Sequence, residues 1–228
     1  MIQSVPVREA YKGKGKAVTN MNNKETSTIM KLAETAILAA LCYVSFTFLQ
    51  IKIPVPGGDA TSLHIGNAFC VLAALLLGGV YGGMAGAVGM TIADLMDPVY
   101  ITGAPKTFVL KLCIGLITGL VAHKVAKINE STDKSYVFKW SLIASVAGLA
   151  FNVVADPVVG FFYKQYILGQ PQEMAAVLAK LSAVTTFVNA VVSVILVVFI
   201  YNALRPALIK MNLIQIHPVQ KDKTVSAN

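Results

Sequence analysis

Polar and charged side chains suited to binding a small molecule recur inside otherwise apolar stretches of this sequence. His64 and Asn67 stand at the start of one apolar run, and Asp94 and Asp97 close the glycine-rich run that follows. Charged groups in apolar segments are costly and usually face a cavity or each other. The pattern predicts a pocket for a small polar solute. The residues predicted to bind it are His64, Asn67, Lys106, Lys111, Asn152, Asp156, Tyr163, Lys180 and Asn189.

The same residue types also have structural explanations. Asp94 or Asp97 could form ion pairs with the lysines that open the next helix, because buried charges are commonly paired. His64 could cap a helix. Asn152 and Asn189 could serve only as hydrogen bonds between helices. Tyrosines near helix ends, such as residue 163, could belong to the aromatic belt at the membrane interface.

Signatures of catalysis are missing from the sequence. It contains no H-E-x-x-H zinc motif, no G-x-S-x-G nucleophile elbow and no P-loop. The three cysteines are isolated inside apolar runs, which indicates free thiols. A metal site around His64 lacks a diagnostic spacing. We therefore expect no enzymatic activity, no cofactor and no metal ion.

The elements that must position these residues are membrane-spanning helices. Of the 228 residues, 56% are hydrophobic and 13% are charged, whereas a soluble domain carries about 25% charged residues. Apolar runs of about 20 residues match the thickness of the hydrocarbon core. The net charge of +8 lies in tails and loops that flank these runs, so it predicts a lipid-bilayer topology and not a nucleic-acid partner.

The predicted fold is an all-α membrane protein with six transmembrane helices. Pro54, Pro56 and two glycines predict a loop over residues 51–62, and the glycine-rich third helix is predicted to pack tightly against its neighbours. The predicted domain organisation is a basic tail (1–28), a six-helix transmembrane domain (29–205) and a second tail (206–228). The predicted helices span residues 29–50, 63–78, 82–97, 106–124, 138–163 and 174–204.

The distribution of basic residues predicts the orientation in the membrane. Six spans place both termini on one side, and fourteen of the 19 lysines and arginines fall on that side. The positive-inside rule therefore predicts cytoplasmic termini in a multi-pass protein of the cell membrane. The polar residues then lie mostly in the outer half, which predicts a pocket open to the outside and closed towards the cytoplasm.

Small residues on the first predicted helix indicate a close helix–helix contact. Ala36 and Ala40 are four residues apart and therefore share a face. Such a face lets another helix backbone approach closely. The partner could be a helix of the same bundle or a second membrane subunit.

Two adjacent motifs resemble a known transporter family. The segment P-x-P-G-G-D-A-T-S-L-H-I-G-N is followed by LAALLLGGVYGGMAGAVGMTIADL, and LAETAILAAL lies in the first helix. Over about residues 29–205, the chain resembles the substrate-binding S components of energy-coupling factor (ECF) vitamin transporters, and in particular the riboflavin-type family. The resemblance implies capture of a vitamin or precursor from outside, namely hydroxymethylpyrimidine, a pyridoxine-like compound or riboflavin.

The resemblance also implies partners and places. S components work with a transmembrane coupling subunit and two ATPases, and they are thought to topple in the membrane to release their cargo. The coupling subunit would dock on Ala36 and Ala40. The ligand would lie between residues 54–64 and the outer halves of the last three helices. The alternative is a self-sufficient secondary transporter or channel for a small polar solute, which needs a polar path through the cytoplasmic half.

Overall fold

The computed structural model describes residues 7–55 and 59–211. The chain divides between Glu34 and Thr35 into two compact units, and the second unit contains the β-hairpin and the helices packed around it. Residues 212–228, which make up most of the predicted C-terminal tail, lie outside the described part, as do residues 56–58 at the tip of the predicted loop.

Six α-helices and one antiparallel β-hairpin make up the described chain. One π-helical turn extends the fourth helix over Leu120–Val125, and another extends the fifth over Tyr163–Ile167. The elements are α1 (Val7–Phe48), β1 (Gln50–Val55), β2 (Asp59–His64), α2 (Gly66–Leu77), α3 (Gly79–Met96), α4 (Ala104–Gly119), α5 (Lys134–Phe162) and α6 (Gln172–Lys210). Helix α1 thus begins inside the segment predicted as a tail, and α6 continues past its predicted end.

The prediction of an all-α membrane protein with six transmembrane helices is confirmed in part. Among the described residues, four helices are long and apolar enough to cross a bilayer: Thr26–Phe48, Ile101–Val125, Lys134–Ile167 and Gln172–Lys210. Helix α2 has 12 residues, which gives a length of about 18 Å against a hydrocarbon core of about 30 Å. The glycine-rich α3 is likewise not among the four. The fold is that of a predominantly helical membrane protein.

The predicted loop 51–62 is instead a β-hairpin. Its two strands pair from Gln50 opposite His64 to Val55 opposite Asp59. The first strand reads Gln-Ile-Lys-Ile-Pro-Val, and its alternating β-branched residues favour a strand. A proline is tolerated because each strand of a two-stranded sheet is an edge. A single residue, Ile65, separates the end of the hairpin from the start of α2, so the hairpin fixes the position of His64.

Close backbone packing joins α3 to α1, α2 and α4, which confirms the prediction made from its glycines. A Cβ atom built on Gly83 would lie 2.9 Å from the carbonyl oxygen of Leu112 in α4. A Cβ atom on Gly82 would overlap the backbone of Ala74 in α2, and one on Gly89 would overlap Ala39 in α1. Only glycine permits these approaches. They form a tightly packed base beneath the hairpin.

The core lies among α2, α4, α5 and α6. Leu75, Ile114 and Leu149 are fully buried there. Away from the hairpin, Arg205 of α6 donates to the backbone oxygens of Ile128 (2.8 Å) and Ser131 (3.1 Å), and so fastens α6 to the connection between α4 and α5. Large apolar side chains elsewhere on the helices are exposed, as expected of a surface in contact with lipid.

Candidate functional site

A polar cavity lies between the hairpin, the adjoining ends of α3 and α4, and the facing parts of α5 and α6. The volume of this cavity is about 140 Å³. Eight of the nine residues predicted to bind a solute line it, whereas Lys180 is exposed and does not. The eight lining residues are His64, Asn67, Lys106, Lys111, Asn152, Asp156, Tyr163 and Asn189.

Asp156 is the centre of a hydrogen-bonded cluster that joins three helices. The Nζ atom of Lys106 in α4 lies 2.9 Å from its Oδ1 atom. Ser182 and Thr186 of α6 both donate to its Oδ2 atom, the latter over 3.1 Å. With three donors, the carboxylate of Asp156 is already well satisfied. The cluster therefore holds α4, α5 and α6 together around the cavity.

The ion pairs differ from those expected of the aspartates at the end of α3. Asp97 pairs with Lys52 of the hairpin and not with a lysine of α4. The Nζ atom of Lys52 also lies 5.3 Å from the centroid of the Tyr100 ring, within the range of a cation–π interaction. The ion pairs considered from the sequence did not include Lys52, because residues 51–62 were expected to be a loop. The pair fastens β1 to the end of α3.

The second strand of the hairpin is fastened to α6. Asn189 accepts from the backbone nitrogen of His64 (3.0 Å) and donates to the backbone oxygen of Ser62 (2.9 Å). The hydroxyl oxygens of Thr61 and Thr185 lie 2.7 Å apart and share a hydrogen bond. Both ends of the Asn189 amide are thus engaged by the backbone. Asn189 positions the hairpin over the cavity, which fits its structural explanation better than direct binding.

Lys111 and Asn67 meet inside the bundle. The Nζ atom of Lys111 donates to Oδ1 of Asn67 over 2.8 Å. The side chains come from α4 and α2, and both residues are buried. The contact therefore places an ammonium group against a neutral amide at the inner wall of the cavity.

His64 lies at the foot of the hairpin, with its ring edge against Phe46 at a centroid distance of 4.7 Å. Its imidazole does not cap α2, because that helix begins after Ile65 without a side-chain cap. Burial, and then the positive charge of Lys111, lower the pKa of His64 to about 3. The imidazole is neutral at physiological pH, so it offers one donor and one acceptor nitrogen.

Asn152 and Tyr163 complete the wall contributed by α5 and its extension. Asn152 is 1% exposed, and its Oδ1 atom has no hydrogen-bond partner among the described residues. The hydroxyl of Tyr163 donates to the backbone oxygen of Thr102 over 2.8 Å. Tyr163 therefore holds the rim of the cavity, and the Oδ1 atom of Asn152 is buried in its wall without a hydrogen-bond partner among the described residues.

Several lining residues were not predicted from the sequence. Phe46, Thr61 and Tyr100 line the cavity because the hairpin and the end of α3 fold over it. On α6, the missed residues precede Asn189 at helical spacing, so they lie on one face of the helix. That polar stripe was a signal that could have been found. Its missed members are Ser182, Thr185 and Thr186.

Comparison with known proteins identifies the family. The family described as "ECF-type riboflavin transporter, S component" matches residues 26–206. The chain belongs to this family. The members of this family are transporter S components and not enzymes. Membership of the family and the long apolar helices together identify the chain as a multi-pass membrane protein.

Individual relatives are more distant from this S component. An uncharacterised protein of Pyrococcus woesei is 36% identical over 76 residues, which are 33% of this chain and 49% of the relative, so the match spans about half of that protein. A UPF0397 protein of Streptococcus agalactiae serotype Ia is 29% identical over 143 residues, 61% of this chain and 75% of the relative. No solved structure matches the chain significantly.

The arrangement is suited to binding and offers little for catalysis. Within the described part of the chain, no three His, Cys, Asp or Glu side chains are grouped as a metal site would require. The titratable groups of the cavity are lysines, aspartates, two tyrosines and one neutral histidine. With amides and hydroxyls between them, they provide donors and acceptors to a polar solute from several directions.

Proposed function

We propose that this chain is the high-affinity substrate-binding subunit of an ECF-type importer for a water-soluble vitamin or precursor. The candidate substrates are hydroxymethylpyrimidine, a pyridoxine-like compound or riboflavin. The observation that carries the proposal is the mixed-charge cavity beneath a fastened hairpin, with a free buried acceptor on Asn152. Pockets that bind small molecules combine an enclosed shape with a few such convergent polar groups.

The proposed orientation places the cavity on the outside of the cell. Its support is the excess of basic residues in the tails and in the connection between α4 and α5. Beyond the cavity, buried apolar residues such as Ile114, Leu149 and Val197 fill the bundle. A core of this kind favours capture and delivery over conduction through the chain, and so argues against a self-sufficient secondary transporter or channel.

The proposed partners are a transmembrane coupling subunit and two ATPase subunits, which would drive release by toppling the loaded chain in the bilayer. The chain has no P-loop of its own with which to hydrolyse ATP. Ala36 and Ala40 are exposed, whereas their neighbours Leu38 and Cys42 are buried. The two alanines are therefore available to a second membrane subunit, as the docking proposal requires.

Mass spectrometry of small molecules released from the detergent-purified chain tests the binding role directly. We expect one water-soluble vitamin or precursor at a near-stoichiometric amount. If the protein releases no such molecule, and binds none from a panel of vitamins added back to it, the proposed function is wrong.

A further inference from the structure

A second pocket lies between α5 and α6, where one membrane span begins and the other ends. The span of α5 begins at Lys134 and that of α6 ends at Lys210. The volume of this pocket is about 550 Å³, and it shares no lining residue with the polar cavity. Its wall combines the basic side chains of Lys134 and Arg205 with apolar side chains such as Phe138 and Ile209.

The basic side chains of this pocket have no close countercharge. Arg205 is 6% exposed, and its Nη2 atom donates only to backbone oxygens. Among the described residues, no carboxylate oxygen lies within 4.0 Å of Arg205 or Lys134. Asp133 is next to Lys134 in the chain, but its Oδ1 atom accepts from the backbone nitrogen of Ser135. A buried charge is costly unless it is paired, so the pocket favours an anionic group.

The position of the pocket along α5 matches the headgroup region of a bilayer. Trp140, the single tryptophan of the chain, follows Lys134 by six residues, about 9 Å along the helix. Tryptophan is enriched at the interface between membrane and water, and lysines there extend their ammonium groups towards it. An anion bound in this pocket would therefore lie at the depth of the phosphate groups of the lipids.

An apolar groove follows further along the same two helices. Its volume is about 430 Å³, and all of its lining side chains are aliphatic or phenylalanine. They lie on α5 between Val146 and Val154 and on α6 between Phe187 and Ile195. These segments fall in the middle of the two spans, where the acyl chains of lipids surround a membrane protein.

Helical periodicity places the pocket and the groove on one face of the α5–α6 pair. Phe138 of the pocket and Leu149 of the groove are eleven residues apart on α5, which is about three turns. Val194 of the groove and Arg205 of the pocket have the same spacing on α6. The groove begins at Val146, about 12 Å beyond Phe138. One elongated molecule with an anionic head and an apolar tail therefore fits both.

We propose that one anionic phospholipid binds along the seam between α5 and α6, with its phosphate against Lys134 and Arg205 and an acyl chain in the apolar groove. Basic pockets between membrane helices are typical sites for anionic headgroups. In the proposed orientation this end of the bundle faces the cytoplasm, where the leaflet is rich in anionic lipids. The site uses no residue of the polar cavity, so the inference is independent of the substrate.

Native mass spectrometry of the full-length chain in detergent tests the inference with two lipids that have identical acyl chains. The lipids are palmitoyl-oleoyl phosphatidylglycerol, which is anionic, and palmitoyl-oleoyl phosphatidylcholine, which is zwitterionic. We expect one phosphatidylglycerol to bind about tenfold more tightly than phosphatidylcholine. Equal affinities would overturn the inference. This comparison uses the unaltered protein, so it is decisive even if a variant fails to fold.

Lys134→Met tests the contact with the headgroup. The loss of one basic residue near the membrane surface should weaken phosphatidylglycerol about fivefold and leave phosphatidylcholine nearly unchanged. Lys139→Met is the matched control, because Lys139 is an exposed lysine of the same helix outside the pocket. An equal loss of affinity in both variants would show a general attraction to basic residues and overturn the assigned site.

Ala150→Phe tests the groove. Ala150 is exposed and lines the groove, so a larger side chain should displace part of the acyl chain and weaken both lipids about tenfold. Ala203→Phe is the matched control, because Ala203 is exposed on α6 outside the pocket and the groove. Full affinity in Ala150→Phe would overturn the placement of the acyl chain.

Other occupants of the seam would give different results. If the pocket binds a free phosphate ester, glycerol 3-phosphate will displace phosphatidylglycerol at a similar concentration, whereas we expect no displacement. If a second copy of the chain fills the groove, the spectrum will show a dimer that Ala150→Phe dissociates. Either result would overturn the inference. Release of a vitamin is measured separately, so failure of the proposed function and failure of this inference are distinguishable.

Discussion

At the scale of single residues, neighbouring polar side chains of one helix have different roles. Asp156 is engaged by three donors, whereas Asn152, one turn away, keeps a free buried acceptor. The same role is predicted for both from the sequence, because residues one turn apart share a face. Their partners, which lie on α4 and α6, make the difference. Asp156 should therefore matter mainly for stability, and Asn152 mainly for binding.

Replacing Asp156 by Asn tests its structural role. The change leaves Lys106 without its countercharge in a partly buried site, where the two side chains are 17% and 16% exposed. Removing one partner of a fully buried pair costs about 3–5 kcal/mol, and we expect about 2 kcal/mol here because water screens the pair. Thermal unfolding of the detergent-purified protein measures the change.

Lys127→Met is the matched control for that substitution. Lys127 lies 3.5 Å from Glu130, and the two side chains are 60% and 34% exposed. Exposed pairs contribute little, so its unfolding should be nearly unchanged. Equal unfolding temperatures for Asp156→Asn and Lys127→Met would contradict the role given to the Asp156 cluster.

His64 should make the stability of the protein depend on pH. Its pKa is about 3 in the folded chain and about 6.5 in an unfolded one. Between these values the unfolded state binds the extra proton, so stability rises with pH. From pH 5 to 6.5, this group alone contributes an increase of about 2 kcal/mol.

His64→Gln should remove that part of the pH dependence. Unfolding is measured at pH 5, 6 and 7.5 for the variant and the unaltered protein. The difference in stability between the two should grow as the pH rises and level off above about 6.5. A difference that is constant across these pH values would show that His64 is not buried in its neutral form.

At the scale of elements, the β-hairpin forms one wall of the cavity through its second strand. It is fastened to α3 by the Lys52–Asp97 pair and to α6 by Asn189 and the Thr61–Thr185 hydrogen bond. The proline and glycine residues correctly indicated a break after α1. They did not reveal the strands, because a two-stranded hairpin is stabilised by what it packs against more than by its own sequence.

Lys52→Met tests the hairpin as a lid over the bound molecule. Loss of the ion pair should speed ligand dissociation about threefold, as expected of a partly exposed pair worth below 1 kcal/mol. Asp97→Asn should have the same effect, and the double variant should be no worse than either single one. Displacement of bound ligand in a stopped-flow instrument gives these rates, and additive effects would show that the residues act separately.

At the scale of the whole molecule, the chain combines a binding cavity near one end of the bundle with an exposed small-residue face on α1. The two features use different residues: α1 contributes Phe46 to the wall of the cavity, whereas Ala36 and Ala40 lie further from it along the same helix and are exposed. Binding and coupling should therefore be separable by substitution.

Ala36→Leu is expected to leave substrate binding unchanged and to reduce uptake at least tenfold in cells that contain the proposed coupling subunit and ATPases. A larger side chain prevents the close approach that small residues allow between helices. Ile37→Phe is the matched control, since Ile37 is also exposed on α1 and lies on a different face. Uptake that is equally reduced in both variants would argue against a specific docking face.

The sequence by itself determined the membrane class, the approximate helices, the tight packing of α3 and the family. These properties depend on local composition and on motifs: apolar runs set helix length, and glycine permits close backbones wherever it occurs. It also identified eight residues of the cavity, because polar groups in apolar segments must be satisfied within the protein.

Only the tertiary structure decided which polar groups are partners. Lys52 pairs with Asp97, 45 residues away, and Lys106 with Asp156, 50 residues away. Thr61 meets Thr185 across 124 residues. Such contacts depend on the rotation of each helix about its axis and on the register of the hairpin. For the same reason, Lys180 falls outside the cavity although its residue type matched the prediction, and Lys111 remains inside it without a close countercharge.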